Sequence, residues 1–293
     1  MPRKWWLHVL LFVLTLLTTT TFGYALAQSY ASSRPLDEQR IAEAYIRLFH
    51  GGAGLSAGLI YSVPLLLILL AHEFGHYFAC RRWGVEASLP YFGPSPTLLG
   101  TLGAIILMRS PIYSRKSLLD IGASGPIAGF IMLIPFLTVG VWLSHVVPGI
   151  QAHGPFAFGM PFLMRVLEWV RFPGAASSDI CLHPMAVAAW GGLLATAMNL
   201  LPAGQLDGGH ILYALTGPRV HRMATRVSAA LLVLVGFLYW YWPWWIGAVV
   251  VFLVRRHALI YDQRSLGTPR IAVGVAALLL FVISIAIVPL EIK

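Results

Sequence analysis

Residues 65–84 read LLLILLAHEFGHYFACRRWG. The stretch opens as a run that a lipid bilayer accepts and closes on Arg81, Arg82 and water. Between the two lie His72, Glu73 and His76. Ionisable side chains are expensive in hydrocarbon, and inside an apolar segment they mark function by default.

The rest of the chain has the same character. Of its 293 residues 58% are hydrophobic and only 11% are charged, against about 25% charged in an ordinary soluble domain. A helix crosses the bilayer with roughly 20 apolar residues, and several runs reach that length. The formal charge of +9 sits in short basic clusters between apolar runs. That is the pattern of cytoplasmic loops rather than of a nucleic-acid surface, so the expected environment is a lipid bilayer and no nucleic-acid partner is expected.

The first run, WWLHVLLFVLTLLTTTTFGYALA (5–27), is read as a retained helix, although its basic flank and ALA ending also resemble a signal peptide. LDEQRIAEAYIRLFH (36–50) has the spacing of an amphipathic surface helix. A second span covers 55–80. LLGTLGAIILM (98–108) is too short to cross as a helix, and its glycines predict a re-entrant strand or hairpin. A third span covers 118–146, and FLMRVLEWVRF (162–172) reads as an interfacial helix.

The fourth hydrophobic segment, 184–215, is interrupted by NLLPAGQLDGGH (199–210). Pro and Gly inside a span free backbone groups, which is tolerated only where protein or a polar cavity satisfies them. Two runs, 225–242 and 244–254, read as a hairpin, with Trp240, Trp242, Trp244 and Trp245 as an aromatic belt. A last span covers 270–289.

The expected fold is therefore an all-α polytopic membrane protein of about six to seven transmembrane helices with a short re-entrant β element. Three regions are assigned: an N-terminal helix and surface segment (1–54), a membrane core (55–216) and C-terminal helices (217–293). With the N-terminus in the cytoplasm, the pairs Arg3–Lys4, Arg81–Arg82, Arg115–Lys116 and Arg255–Arg256 all fall inside. Arg34, Arg40, Arg47, Arg165, Arg171 and Lys293 fall outside among a similar number of acids. Cys80 and Cys181 then lie on opposite sides, which excludes a disulfide between them.

Within AHEFGH the two histidines are four apart and share a helix face, with Glu73 about a quarter-turn away. H-E-x-x-H in this form is the arrangement of zinc metalloproteases, two imidazoles on the metal and a glutamate as base. Catalytic zinc takes three protein ligands and leaves a position for water, so one more ligand must come from elsewhere. Asp207 lies inside an apolar segment and, by the alternation of spans, near the same face as the histidines. An unpaired buried carboxylate needs a cation more than an imidazole does, which favours Asp207 over His210 and Cys80. Asp120 reads as a helix-start cap. Gly122, Gly125 and Gly129 read as a small-residue face for close helix packing.

Together these stretches resemble the site-2 protease family of intramembrane zinc metalloproteases. HEFGH (72–76) is similar to that family's first metal motif and NLLPAGQLDGGH to its second. GTLGAIILMRSP (100–111) with DIGASGPIAG (120–129) is similar to its re-entrant element and glycine-rich helix, and FLVRRHALIYDQRSLGTPR (252–270) to the tail of compact members. The resemblance implies Zn2+ held by His72, His76 and Asp207, Glu73 as catalytic base, and Asn199 in substrate binding. It implies membrane-spanning protein substrates cut within or near the bilayer, with the active site near the cytoplasmic face. A prokaryotic cell membrane is the expected location, and no length remains for a PDZ or CBS domain. Oligomeric state is not legible. Two other functions fit the same residues: a catalytically silent membrane regulator, which has no use for Glu73, and a metal transporter, which would more often show internal repeats.

Overall fold

The computed structural model describes residues 5–96, 99–257, 260–262 and 264–292. Arg3, Lys4 and Lys293 of the orientation reading, and Leu98 of the 98–108 run, lie outside them. Ten α-helices are described: α1 (Trp5–Ala31), α2 (Glu38–Phe49), α3 (Leu59–Arg82), α4 (Arg115–Leu143), α5 (Phe162–Arg171), α6 (Pro184–Leu200), α7 (Asp207–Thr216), α8 (Pro218–Leu238), α9 (Trp242–Leu253) and α10 (Thr268–Ser284). Four helical stretches, Trp5–Ala31, Leu55–Arg82, Arg115–Leu143 and Pro218–Leu238, are long and apolar enough to cross a membrane. Three shorter apolar helices, α6, α9 and α10, accompany them.

Helix α3 carries the opening motif, and α4 packs along it. The close approach is made by glycines: Gly75 of α3 lies against the Ser124 and Gly125 backbone of α4, and Gly129 lies against His72. The expectation for the α4 glycines holds: Gly125 and Gly129 admit His76 and His72 of α3, and Gly122 admits Asp207 and His210 of α7. Helix α6 packs against both α3 and α4, with Gly140 against the Ala186 backbone and Gly192 between Ile68 of α3 and Leu133 of α4. Trp190 of α6 is fully buried there and donates its indole N–H to the Gly159 carbonyl at 2.8 Å.

Hydroxyls in α1 explain how four successive threonines sit in an apolar helix. Thr19 and Thr21, like Thr15 before the run, donate to the carbonyls four residues back at 2.7–2.8 Å, and Thr20 pairs with the Ser62 hydroxyl at 2.9 Å, which satisfies them without water. Thr18 reaches further and donates to the Gly100 carbonyl at 2.6 Å. Gly100 belongs to the turn between β1 (Tyr91–Pro94) and β2 (Thr101–Ile105), an antiparallel hairpin whose register shifts between Phe92 and Pro94. Gly103 takes φ +97° at that irregularity. The bent hairpin expected from the glycines of 98–108 is present.

At the opposite end of the bundle two short strand pairs tie loops together. His145–Val146 (β3) pairs with Ile180–Cys181 (β5), and Phe156–Phe158 (β4) pairs with Leu290–Ile292 (β6). Cys80 is buried near the start of α4 and Cys181 beside its end, both as free thiols. A disulfide between them is excluded, as expected.

Helices α8 and α9 form the hairpin read from the sequence, turning at Trp240 with φ +47°. The turn brings Arg255 and Arg256 back to the end where Arg81, Arg82 and Arg115 lie: Gln205, in the loop before α7, donates to the Arg256 carbonyl at 2.6 Å. The aromatic belt is corrected in part. Trp240 and Trp242 are exposed, but Trp244 is buried and donates to the Ile287 carbonyl at 2.6 Å. Asp120 is corrected as well. Ser114 caps α4, accepting from the Ser117 N–H, whereas Asp120 pairs with Arg270 at 2.9 Å and accepts from the Trp83 indole at 3.1 Å. A cation from another helix outbids the helix's own N–H groups for this carboxylate.

Surface helix α5 buries one carboxylate away from the spanning helices. Glu168 accepts from the Ser177 hydroxyl at 2.6 Å, while its second oxygen is buried without a partner. Burial pushes its pKa from an ordinary 4.5 up to about 7, against the opposing pull of Ser177 and Arg165. The folded state therefore holds this proton more tightly than the unfolded chain. The resulting stabilisation is complete below about pH 4.5 and is lost as pH rises through 7, by at most about 3 kcal/mol. Thermal unfolding of purified protein between pH 5 and 8 is expected to show that fall, and Glu168→Gln to flatten it. An unchanged slope in the variant contradicts the assignment.

Candidate metal centre

His72, Glu73 and His76 are buried near the C-terminal end of α3, and Asp207 opens α7. Chain geometry at 199–210 brings the two together. Helix α6 stops at Leu200 ahead of Pro202, the backbone turns through 201–206, and α7 begins on Asp207. Gly208 packs against the Leu200 carbonyl and Gly209 against the Gly204 and Ala203 carbonyls. No larger residue admits backbone so close, which is why two glycines follow the aspartate.

Three donor atoms converge. His72 Nε2 and His76 Nε2 are 3.1 Å apart, and Asp207 Oδ2 lies 3.3 Å from the first and 3.2 Å from the second. His76 Nδ1 lies 2.8 Å from the Ile121 carbonyl, so Nδ1 carries the proton and Nε2 presents a lone pair. Lone pairs of two imidazoles and a carboxylate that face one another repel unless a cation lies among them. A tetrahedral ion with bonds of about 2.0–2.1 Å has ligand–ligand edges of about 3.3 Å. The three side chains thus fit a small divalent metal, and among the described residues this is the one cluster of three such donors.

Glu73 lies beside the Ile106 main chain, just beyond β2. It shares with His72, His76 and Asp207 a cavity of about 190 Å³, ample for water, walled on one side by Ala104–Ile106. Exposed Gln205 stands at its rim. Strand β2 pairs only with β1, so its other edge is unpaired among the described residues, and Leu102 and Ile105 are exposed along it.

Asn199, read from the sequence as a substrate contact, has its amide nitrogen 3.2 Å from His72 Nε2. His210, the competing ligand, is turned away: its Nδ1 lies 2.8 Å from His257 Nε2. Cys80 is buried in an apolar cluster with Val85 and Ile121. Sequence reasoning missed the Ile121 carbonyl, the Ile106 main chain and His257. The first two are main-chain groups without a residue signature, and the third is 47 residues from its partner.

Gly125 is the residue of α4 that faces the His76 ring, and a methyl group there would overlap the imidazole. The ring cannot retreat without losing the Ile121 carbonyl. Gly125→Ala is expected to displace His76, destabilise the fold by about 1–3 kcal/mol and weaken metal binding. Zinc titration of the purified variant checks this, and wild-type affinity with unchanged stability contradicts it.

Comparison with known proteins shows the family of the chain. Residues 60–240 match Peptidase family M50. "Probable zinc metalloprotease EGY1, chloroplastic" of Arabidopsis thaliana is 31% identical over 243 residues, 79% of this chain and 43% of that protein. "Probable zinc metalloprotease EGY2, chloroplastic" of Oryza sativa subsp. indica is 30% identical over 240 residues, 77% and 42% respectively. The chain thus spans less than half the length of these curated relatives. No solved structure matches. Relatives named as chloroplastic lend no support to the expected prokaryotic membrane; the apolar helices and the family support an integral membrane protein. With the match covering most of the helical core and both the 72–76 and 199–210 stretches, the chain belongs to Peptidase family M50.

Proposed function

We propose that this chain is an intramembrane zinc metalloendopeptidase that hydrolyses peptide bonds within or near the transmembrane segments of membrane proteins. The observation that carries the reading is the convergence of His72, His76 and Asp207, with Glu73 beside them, on a cavity bordered by an unpaired strand edge. Zinc held by the three side chains would supply Lewis acidity and a more acidic water. Glu73 is placed to take a proton from the attacking water and return it to the leaving amine. Asn199 stands beside His72 with an amide that can donate to substrate backbone or to the developing oxyanion.

A helical substrate has its peptide groups tied up in its own hydrogen bonds, so it must unwind to be cut. Its freed backbone groups then need partners, and the outer edge of β2 offers them by strand addition. Gln205 at the cavity rim is exposed and donates to the Arg256 carbonyl, and α3 runs on from His76 to Arg81 and Arg82. This supports an active site near the cytoplasmic face.

Glu73 argues against a silent regulator, since a binding role has no use for a base. A transporter needs successive sites along a path, whereas one three-donor cluster is found among the described residues. The test is zinc content of the purified protein together with cleavage of a single-span membrane substrate. A protein that binds no zinc and cuts nothing overturns the proposal.

A further inference from the structure

The carboxylate of Asp207 reaches the histidines only because the loop before it holds one shape. That loop leaves α6 at Leu200 and turns twice, with Ala203 donating to the Leu201 carbonyl at 2.7 Å and Leu206 to the Ala203 carbonyl at 3.2 Å. Its pivot is Gly204, which takes φ +55° and is buried. A side chain at 204 would meet the Val254 carbonyl at 2.6 Å, so the end of α9 closes one side of the pivot.

Both main-chain groups of Gly204 are taken up by one helix that carries no metal ligand. Its N–H donates to Thr225 Oγ1 at 3.1 Å, and its carbonyl accepts from His221 Nε2 at 2.9 Å. Residues 221 and 225 are four apart on α8 and so share a face. They are 1% and 4% exposed, and the Thr225 hydroxyl donates in turn to the His221 carbonyl at 2.8 Å. A buried N–H or carbonyl left unpaired is strongly disfavoured, because it has given up water and gained no partner. The loop therefore has one low-energy seat on α8, and it is the seat that presents Asp207.

We infer that His221 and Thr225 are positioning residues for the metal centre, acting through Gly204 to hold Asp207 in ligating range. This inference rests on the metal reading above and adds a role for the α8–α9 hairpin. The hairpin has no group among the three metal donors, yet it fixes the loop on which the third donor rides. Outer-shell partners of metal ligands are commonly worth 10–100-fold in affinity.

Zinc affinity of the purified full chain, measured by competition with a chelator, tests it. Thr225→Val keeps the side-chain shape and removes the donor–acceptor hydroxyl, and Thr225→Ser restores the hydroxyl. Thr225→Val is expected to bind zinc about tenfold or more weakly, and Thr225→Ser to recover most of that loss. Helical content and melting temperature identify any variant that fails to fold, and His221→Gln, which keeps a donor, then serves as the second variant with a loss smaller than that of His221→Ala. Wild-type affinity in Thr225→Val, or a serine variant as weak as the valine variant, overturns the inference. Weak binding by Asp207→Ala in the same series leaves the metal reading standing in that case, whereas a wild type without zinc sinks both.

Discussion

Glu73→Gln is expected to retain zinc at wild-type affinity and to lose cleavage of a single-span substrate by roughly 10²–10⁴-fold, the range a positioned general base contributes. The substitution is nearly isosteric, and the glutamine side chain can keep the carboxylate's place in the cavity beside Ile106. The three metal donors belong to other residues, so their geometry has no reason to change. What the amide cannot do is take up a proton. Metal content by elemental analysis and cleavage by electrophoresis read the two effects separately. A variant that cuts at the wild-type rate removes Glu73 from the mechanism.

Asp207→Ala is expected to fail on both counts. Its Oδ2 stands 3.2–3.3 Å from the two imidazole nitrogens and is the only anionic member of the set. Without it two neutral rings remain, and their lone pairs face each other at 3.1 Å with nothing to complete the coordination. Affinity is expected to fall by more than the roughly 100-fold that outer-shell changes reach, with cleavage falling in parallel. Added zinc then restores part of the activity if the base and cavity are intact. Full occupancy in this variant assigns the third ligand elsewhere, and His210 is too engaged with His257 to be the first candidate.

The two predictions draw on the part of the site that the sequence states most openly. Metal chemistry depends on residue type and spacing, and H-E-x-x-H on a helix leaves few arrangements. Asp207 was legible because a lone carboxylate in an apolar run needs a cation. The glycines at 122, 125 and 129 announced a close approach, but not that the approaching groups include the ligand rings. Asp120 was misread as a cap because its partner, Arg270, is 150 residues away. Trp244 passed for a belt residue because its burial depends on α9 folding back toward Leu232 and Ala203 and on the segment after α10 returning to place Ile287. The His221–Thr225 seat had no signature, since it acts on main-chain atoms of a glycine 17 and 21 residues away.

Helix α1 lies outside the family match, which begins at residue 60. Its threonine nevertheless holds the turn of the hairpin that walls the cavity, and the Gly100 backbone rests on the α1 backbone. Phe22 and Ala25 are buried against Tyr61 and Leu65 of α3. Removal of this helix would strip the hydrophobic cover from α3 and leave the β1–β2 turn without its anchor. The walls of the cavity thus depend on packing by a helix that lies before the matched residues 60–240.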